Sequence, residues 1–148
     1  MKQVIAIAAR RGLIVETGHS APAEGLAIVR ECRRQGVTRI VVTHAMLAPV
    51  RMTIAQMQQA AQDGAYLEFV YNGLTGPNRE YTAADYARAI RAIGPASCIL
   101  AIDLGQPANP LHPDGLTAFF AALEKDGITP AEIGRMSKTN PESLVGLE

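Results

Sequence analysis

Residues 13–46 read LIVETGHSAPAEGLAIVRECRRQGVTRIVVTHAM. An apolar run, Leu13 to Val15, ends in a Gly18-His19 pair. Pro22 then opens a helical segment in a first turn, where its missing N–H costs nothing. Gly36 closes that segment with a residue suited to a left-handed cap. A second apolar run, Ile40 to Val42, follows at once and ends in Thr43-His44. Two continuously apolar runs joined through a helix describe a strand–helix–strand unit, with parallel strands covered on both faces.

The same unit recurs outward from this stretch. The strand candidates are Leu13–Gly18, Arg39–Thr43, Ala65–Tyr71 and Cys98–Leu104, with helices at about 22–35, 53–63, 82–93 and 113–126. Thr53 with Gln56, and Thr82 with Asp85, have capping-box spacing. Pro113 sits in a first turn, and Gly64, Gly94 and Gly127 follow helices as Gly36 does. Two short helices are expected at 130–137, opened by TPAE, and at 141–145, opened by NPES. The stretch VIAIAARRG (4–12) reads as the end of a helix closed by Gly12. A strand is the alternative, from the alternation of Val4, Ile5 and Ile7 with alanines. The pattern predicts one α/β domain over residues 1–148 with a parallel (βα)4 order. An eight-stranded barrel takes about 250 residues, so this chain has the length of its second half.

Composition narrows the function classes. The 148 residues are 48% hydrophobic and 19% charged with zero net charge, and no Lys/Arg cluster exceeds two residues. Nucleic acid and anionic membrane therefore have no electrostatic footprint here. The N-terminal apolar stretch is short and broken by Arg10 and Arg11, so neither a signal peptide nor a membrane span is expected. Cys32 and Cys98 lie far apart, which suits free thiols of a reducing cytoplasm.

In parallel α/β folds functional groups gather at the carboxyl ends of strands. Those ends carry His19, His44, Asn72 and Asp103 here. Imidazole nitrogen and carboxylate oxygen are the donors of catalytic zinc, manganese or iron sites. A metal so held lowers the pKa of a bound water, and an aspartate beside it takes the proton. The plainer readings are structural: His19 and His44 as satisfied strand-end histidines, Asp103 and Asn72 as turn residues, His112 as extended loop before Pro113. Glu16 and Glu68 are further carboxylates within strands, with their facing undecided. Met52, Met57 and Met136 read as core, and Tyr66, Tyr71, Tyr81 and Tyr86 as packing or a pocket wall.

The segment VETGHSAPAEGLAIVRECRRQGVTRIVVTHAM resembles the fifth and sixth strand regions of the metal-dependent amidohydrolase superfamily. CILAIDLGQPANPLHPDGL resembles its eighth-strand region, and MSKTNPESLVGLE its C-terminal helix. The resemblance implies a TIM-barrel half in which His19 is a metal ligand, His44 a ligand of a second metal or a substrate contact, and Asp103 a metal contact that handles the water's proton. It also implies substrate contacts from Gln106 and His112 in the loop after the last strand; Asn72, from its place at a strand end, is a further substrate-binding candidate. Strand parity agrees, since Val15, Thr17 and His19 share one face and Val42 and His44 share one. The family's first-strand His-x-His pair has no counterpart in this chain.

These features predict a cytoplasmic, metal-dependent hydrolase, or part of one, acting on a C–N, ester or lactone bond of a small molecule through metal-activated water. Zinc is the expected metal, with manganese or iron as substitutes. A half-barrel exposes two strand edges, so a homo-oligomer or a complementary N-terminal half-barrel chain is the expected partner. The alternative is a non-catalytic half-barrel that serves as a partner subunit or small-molecule binding module, with no metal.

Overall fold

The computed structural model describes residues 1–147. Helix α1 (Lys2–Arg11) ends at Gly12, whose left-handed backbone returns its N–H to the carbonyls of Ala8 and Ala9. The helical reading of the opening segment therefore holds. Strand β1 (Val15–Glu16), helix α2 (Pro22–Arg34), strand β2 (Ile40–Val42), helix α3 (Ile54–Gln62), strand β3 (Tyr66–Val70), helix α4 (Ala83–Ile93), strand β4 (Cys98–Ala101) and helix α5 (His112–Lys125) follow in strict alternation. The four strands form one sheet in the order β1-β2-β3-β4, and every pairing is parallel.

The strands are shorter than the sequence suggests because left-handed residues cut their carboxyl ends. Gly18 has φ 60°, His44 24° and Asp103 49°, so the extended backbone stops at three of the four strand ends. Strand parity consequently does not carry past Gly18 or into His44, and it gives no guide to where either imidazole points. The capping boxes at Thr53/Gln56 and Thr82/Asp85 are both complete. Gly94 departs from the expected cap, with φ 98° and ψ 133° in place of the left-handed helical values. His112 opens α5 and does not lie in an extended loop.

Alternation sorts the strand side chains. Ile40, Val42, Leu67, Phe69, Cys98 and Leu100 meet Val29, Met57, Ile90 and Phe119 of α2 to α5 in the main core. Val41, Ile99, Ile14 and Tyr66 form a smaller cluster on the opposite face with Leu144. Burial of each such side chain is worth about 1.5–3 kcal/mol, so the helix-covered face carries most of the stability. Met52, Met57 and Met136 are core, as expected, and both thiols are free and buried.

The two expected C-terminal helices are one continuous helical run. Helix α6 (Pro130–Gly134) passes through a π-helical turn, Arg135–Thr139, into α7 (Asn140–Val145). Asn140 therefore opens nothing. Its side-chain amide donates to the carbonyls of Pro95 at 2.8 Å and Cys98 at 2.7 Å, which fastens the helix beside β4. Among the described residues no helix is long and apolar enough to cross a membrane.

Candidate functional site

At the end of β1 the chain turns through Thr17, Gly18, His19 and Ser20 before α2 begins. Thr17 and Thr43 lock this turn to the end of β2: Gly18 N–H donates to Thr43 Oγ1 at 3.0 Å, and Thr43 N–H donates to Thr17 Oγ1 at 3.3 Å. The lock sets the two histidines side by side, with ring centroids 4.7 Å apart and planes tilted by 48°. His19 is exposed, whereas His44 is only 5% exposed. The His44 Nδ1 atom is sealed from solvent and has no hydrogen-bond partner. Buried imidazole nitrogens are ordinarily paired, so this one marks a site where a partner is expected.

The end of β3 turns into two short 3-10 segments, Tyr71–Leu74 and Gly76–Asn78. Asn72 there is 3% exposed. Its Nδ2 donates to Asp103 Oδ2 at 3.3 Å, while its Oδ1 accepts from Asn78 at 3.4 Å and Asn109 at 3.3 Å. The Asn109 amide also donates to Gln106 Oε1. The carboxamides thus form a chain that ends on Asp103, which stands exposed at the end of β4 with one oxygen fixed.

These groups converge on one cavity of about 340 Å³, whose wall includes His19, His44, Asn72, Asp103 and Gln106 together with Asn78 and Glu80. Five of the six residues expected at the site are therefore brought together. His112 stands apart, exposed in the first turn of α5 and outside the cavity wall. No Lys or Arg lines the cavity. Arg51 lies close by but is paired to Glu80 at 2.9 Å.

Glu68, which the sequence placed without a direction, adjoins the site through the His44 backbone. It shares the sheet face of Tyr66, and its carboxylate accepts the His44 backbone N–H at 2.9 Å. Burial pushes its carboxyl up from the ordinary value of 4.5; the bond from the His44 amide works against this, and the charges of Glu16 and Asp103 add to it. A signal was present, since Glu68 is the one charge in an otherwise uncharged strand, YLEFV. Asn78, Asn109 and the Thr17/Thr43 lock carried no such mark.

The donor types suit a metal, but the arrangement is two-handed. Among the described residues no three His, Cys, Asp or Glu side chains stand together as a metal-binding group. The adjacent imidazoles supply two donors, and Asp103 shares their cavity without joining them.

A protein family of unknown function, DUF6282, matches residues 1–68. The matched stretch runs from α1 into β3 and carries His19, His44 and Glu68, whereas Asn72 and Asp103 lie beyond it. No curated protein matches the chain.

Proposed function

We propose that this chain is a small-molecule hydrolase of the amidohydrolase kind, built as a half-barrel, that cleaves a C–N or ester bond at the carboxyl ends of its strands. The observation that carries this reading is the meeting of His19, His44 and Asp103 on one cavity, with His44 and Asp103 both in left-handed backbone. Non-glycine residues in that conformation are costly, by about 1–3 kcal/mol each, and concentrate at functional sites. The half-barrel reading is supported by the strand order. A doubly wound sheet reverses its order and takes helices on both faces. Here the order runs β1-β2-β3-β4 without reversal, and α2 to α5 pack against one face while Leu144 of α7 meets the other.

The chemistry follows from what each group is free to do. Asp103 has one carboxylate oxygen held by Asn72, which leaves the other to take a proton from a water in the cavity. The water oxygen bonds to the substrate carbonyl carbon as that proton moves to Asp103. The C–N or C–O bond then breaks, and the proton that Asp103 took up passes through an imidazole to the departing atom, which restores both groups. Where no metal is held, His44 is the candidate for that donation, with His19 beside it at the open side. A divalent metal, zinc first and manganese or iron next, belongs to this reading as cofactor. His19 and His44 would hold it, and it would supply charge for the developing oxyanion. The two imidazoles match such an ion in kind and fall short of it in number, so no step above is routed through it.

The cavity favours a neutral or cationic ligand, because carboxylates and carboxamides line it and its nearest arginine is already paired. The two free, buried cysteines suit a cytoplasmic setting. A second reading is a non-catalytic half that pairs with another copy or with a complementary half-barrel chain. It is favoured by β1 and β4 lying at the sheet's two ends, with Leu13, just before β1, exposed at 49%. Turnover of a panel of amides, lactams and lactones, with metal analysis and native mass on the same sample, separates the readings. Turnover abolished by Asp103→Asn supports the hydrolase. An inert assembly that binds small molecules supports the second.

A further inference from the structure

Two consecutive backbone amides at the end of β2 are caught by one residue of β3. His44 N–H donates to the Glu68 carboxylate at 2.9 Å, and Ala45 N–H donates to the Glu68 carbonyl at 3.0 Å. Between them sits His44 with φ 24°, a backbone value that a β-carbon resists. Such a residue persists only where its surroundings over-determine it. The usual device for aiming a functional imidazole is a hydrogen bond to its second nitrogen. That device is absent here, since His44 Nδ1 is buried and has no partner. The ring's direction is set from the backbone instead.

We infer that Glu68 is a positioning residue that fixes the left-handed turn at His44 and thereby aims the His44 imidazole into the cavity. The register supports this, because Glu68 lies opposite Ile99 of β4 in a sheet interior where its carboxylate reaches the neighbouring strand end. A neutral acceptor of the same shape should serve nearly as well, whereas truncation leaves a buried amide orphaned and the turn free to relax. The inference rests on the reading of His44 as a site residue, and its test does not depend on finding a substrate.

The test is NMR of the imidazole nitrogens in the full chain, which has only three histidines. Wild type and Glu68→Gln are expected to show one His44 ring environment each. In Glu68→Ala the His44 signals shift or multiply while His112, which does not line the cavity, stays fixed. Wild type alone gives a second measurement: the His44 amide proton should be protected from exchange and coupled through the hydrogen bond to the Glu68 carboxyl carbon. An unprotected His44 amide, or a folded Glu68→Ala protein with an unchanged His44 ring spectrum, overturns the inference. Where a substrate is in hand, Glu68→Ala should lower kcat by about 10–100-fold, the range for partners of site ligands, with recovery in Glu68→Gln. Altered ring signals in a protein that hydrolyses nothing would leave the positioning role standing and remove the hydrolase.

Discussion

The imidazoles of His19 and His44 lie 4.7 Å apart although 25 residues separate them in the chain, 44 less 19. The Thr17/Thr43 lock makes this pairing a property of the strand ends, independent of any ligand. If the pair is the metal seat, either His19→Ala or His44→Ala should abolish retention of zinc, because one remaining imidazole is too few donors. Metal content after chelator-free purification measures this. Equal zinc in wild type and both variants would place any bound metal elsewhere.

Asn72 holds the carboxamide chain to Asp103. Asn72→Ala leaves the Asn78 and Asn109 amides and the Asp103 carboxylate without their shared partner. The loss of a buried hydrogen-bonding hub is expected to cost about 1–3 kcal/mol, read by denaturant unfolding. A change below a few tenths of a kcal/mol would show that water replaces the side chain at no cost.

Gly73 sits against the Tyr86 hydroxyl, which itself donates to the Val70 carbonyl at 3.1 Å. A methyl at Gly73 would collide with that oxygen, so Gly73→Ala should destabilise the fold. Tyr86→Phe alone should cost about 0.5–1.5 kcal/mol for the lost bond. In the double variant the collision is relieved, so the two effects should add to less than their sum. Strict additivity would contradict the contact.

Acid stability should reflect the two strongest carboxylate pairings on the helices. The Thr82 hydroxyl and amide, with Arg88, hold the Asp85 carboxyl down at about 2, and Arg34 with Gln35 holds Glu31 down at about 2. Both folded values lie below the ordinary ones, so the stabilisation is fully present above the unfolded pKa and lost as pH falls toward the folded one. The melting temperature should therefore fall between about pH 5 and pH 2. Asp85→Asn should flatten part of that fall, and an unchanged acid limb would contradict the pairing.

The alternation of apolar runs with capped helices made the parallel order legible, because both signals are local. Thr53 with Gln56 and Thr82 with Asp85 capped helices where their spacing said they would. His19, His44 and Asp103 were legible for the same reason, since each lies within a few residues of the end of an apolar run. The direction of His44 was not, because its positive φ arises from Glu68, a residue 24 positions on whose carboxylate takes its amide. Asn140 misled in the same way. An Asn-Pro pair has the look of a helix start, yet the Asn140 side chain is drawn to two carbonyls near β4. His112 fell into the helix it was expected to precede and does not line the cavity.

The central claim is that Asp103 activates water for bond cleavage in the cavity it shares with His19 and His44. Steady-state hydrolysis of neutral amides, lactams and lactones by wild type and Asp103→Asn, with zinc or manganese supplied, tests it most directly. Wild type is expected to turn over, with a loss of about 10²–10⁴-fold in Asp103→Asn at an unchanged melting temperature. Wild-type protein inert across the panel, or an Asp103→Asn variant as active as wild type, would contradict it.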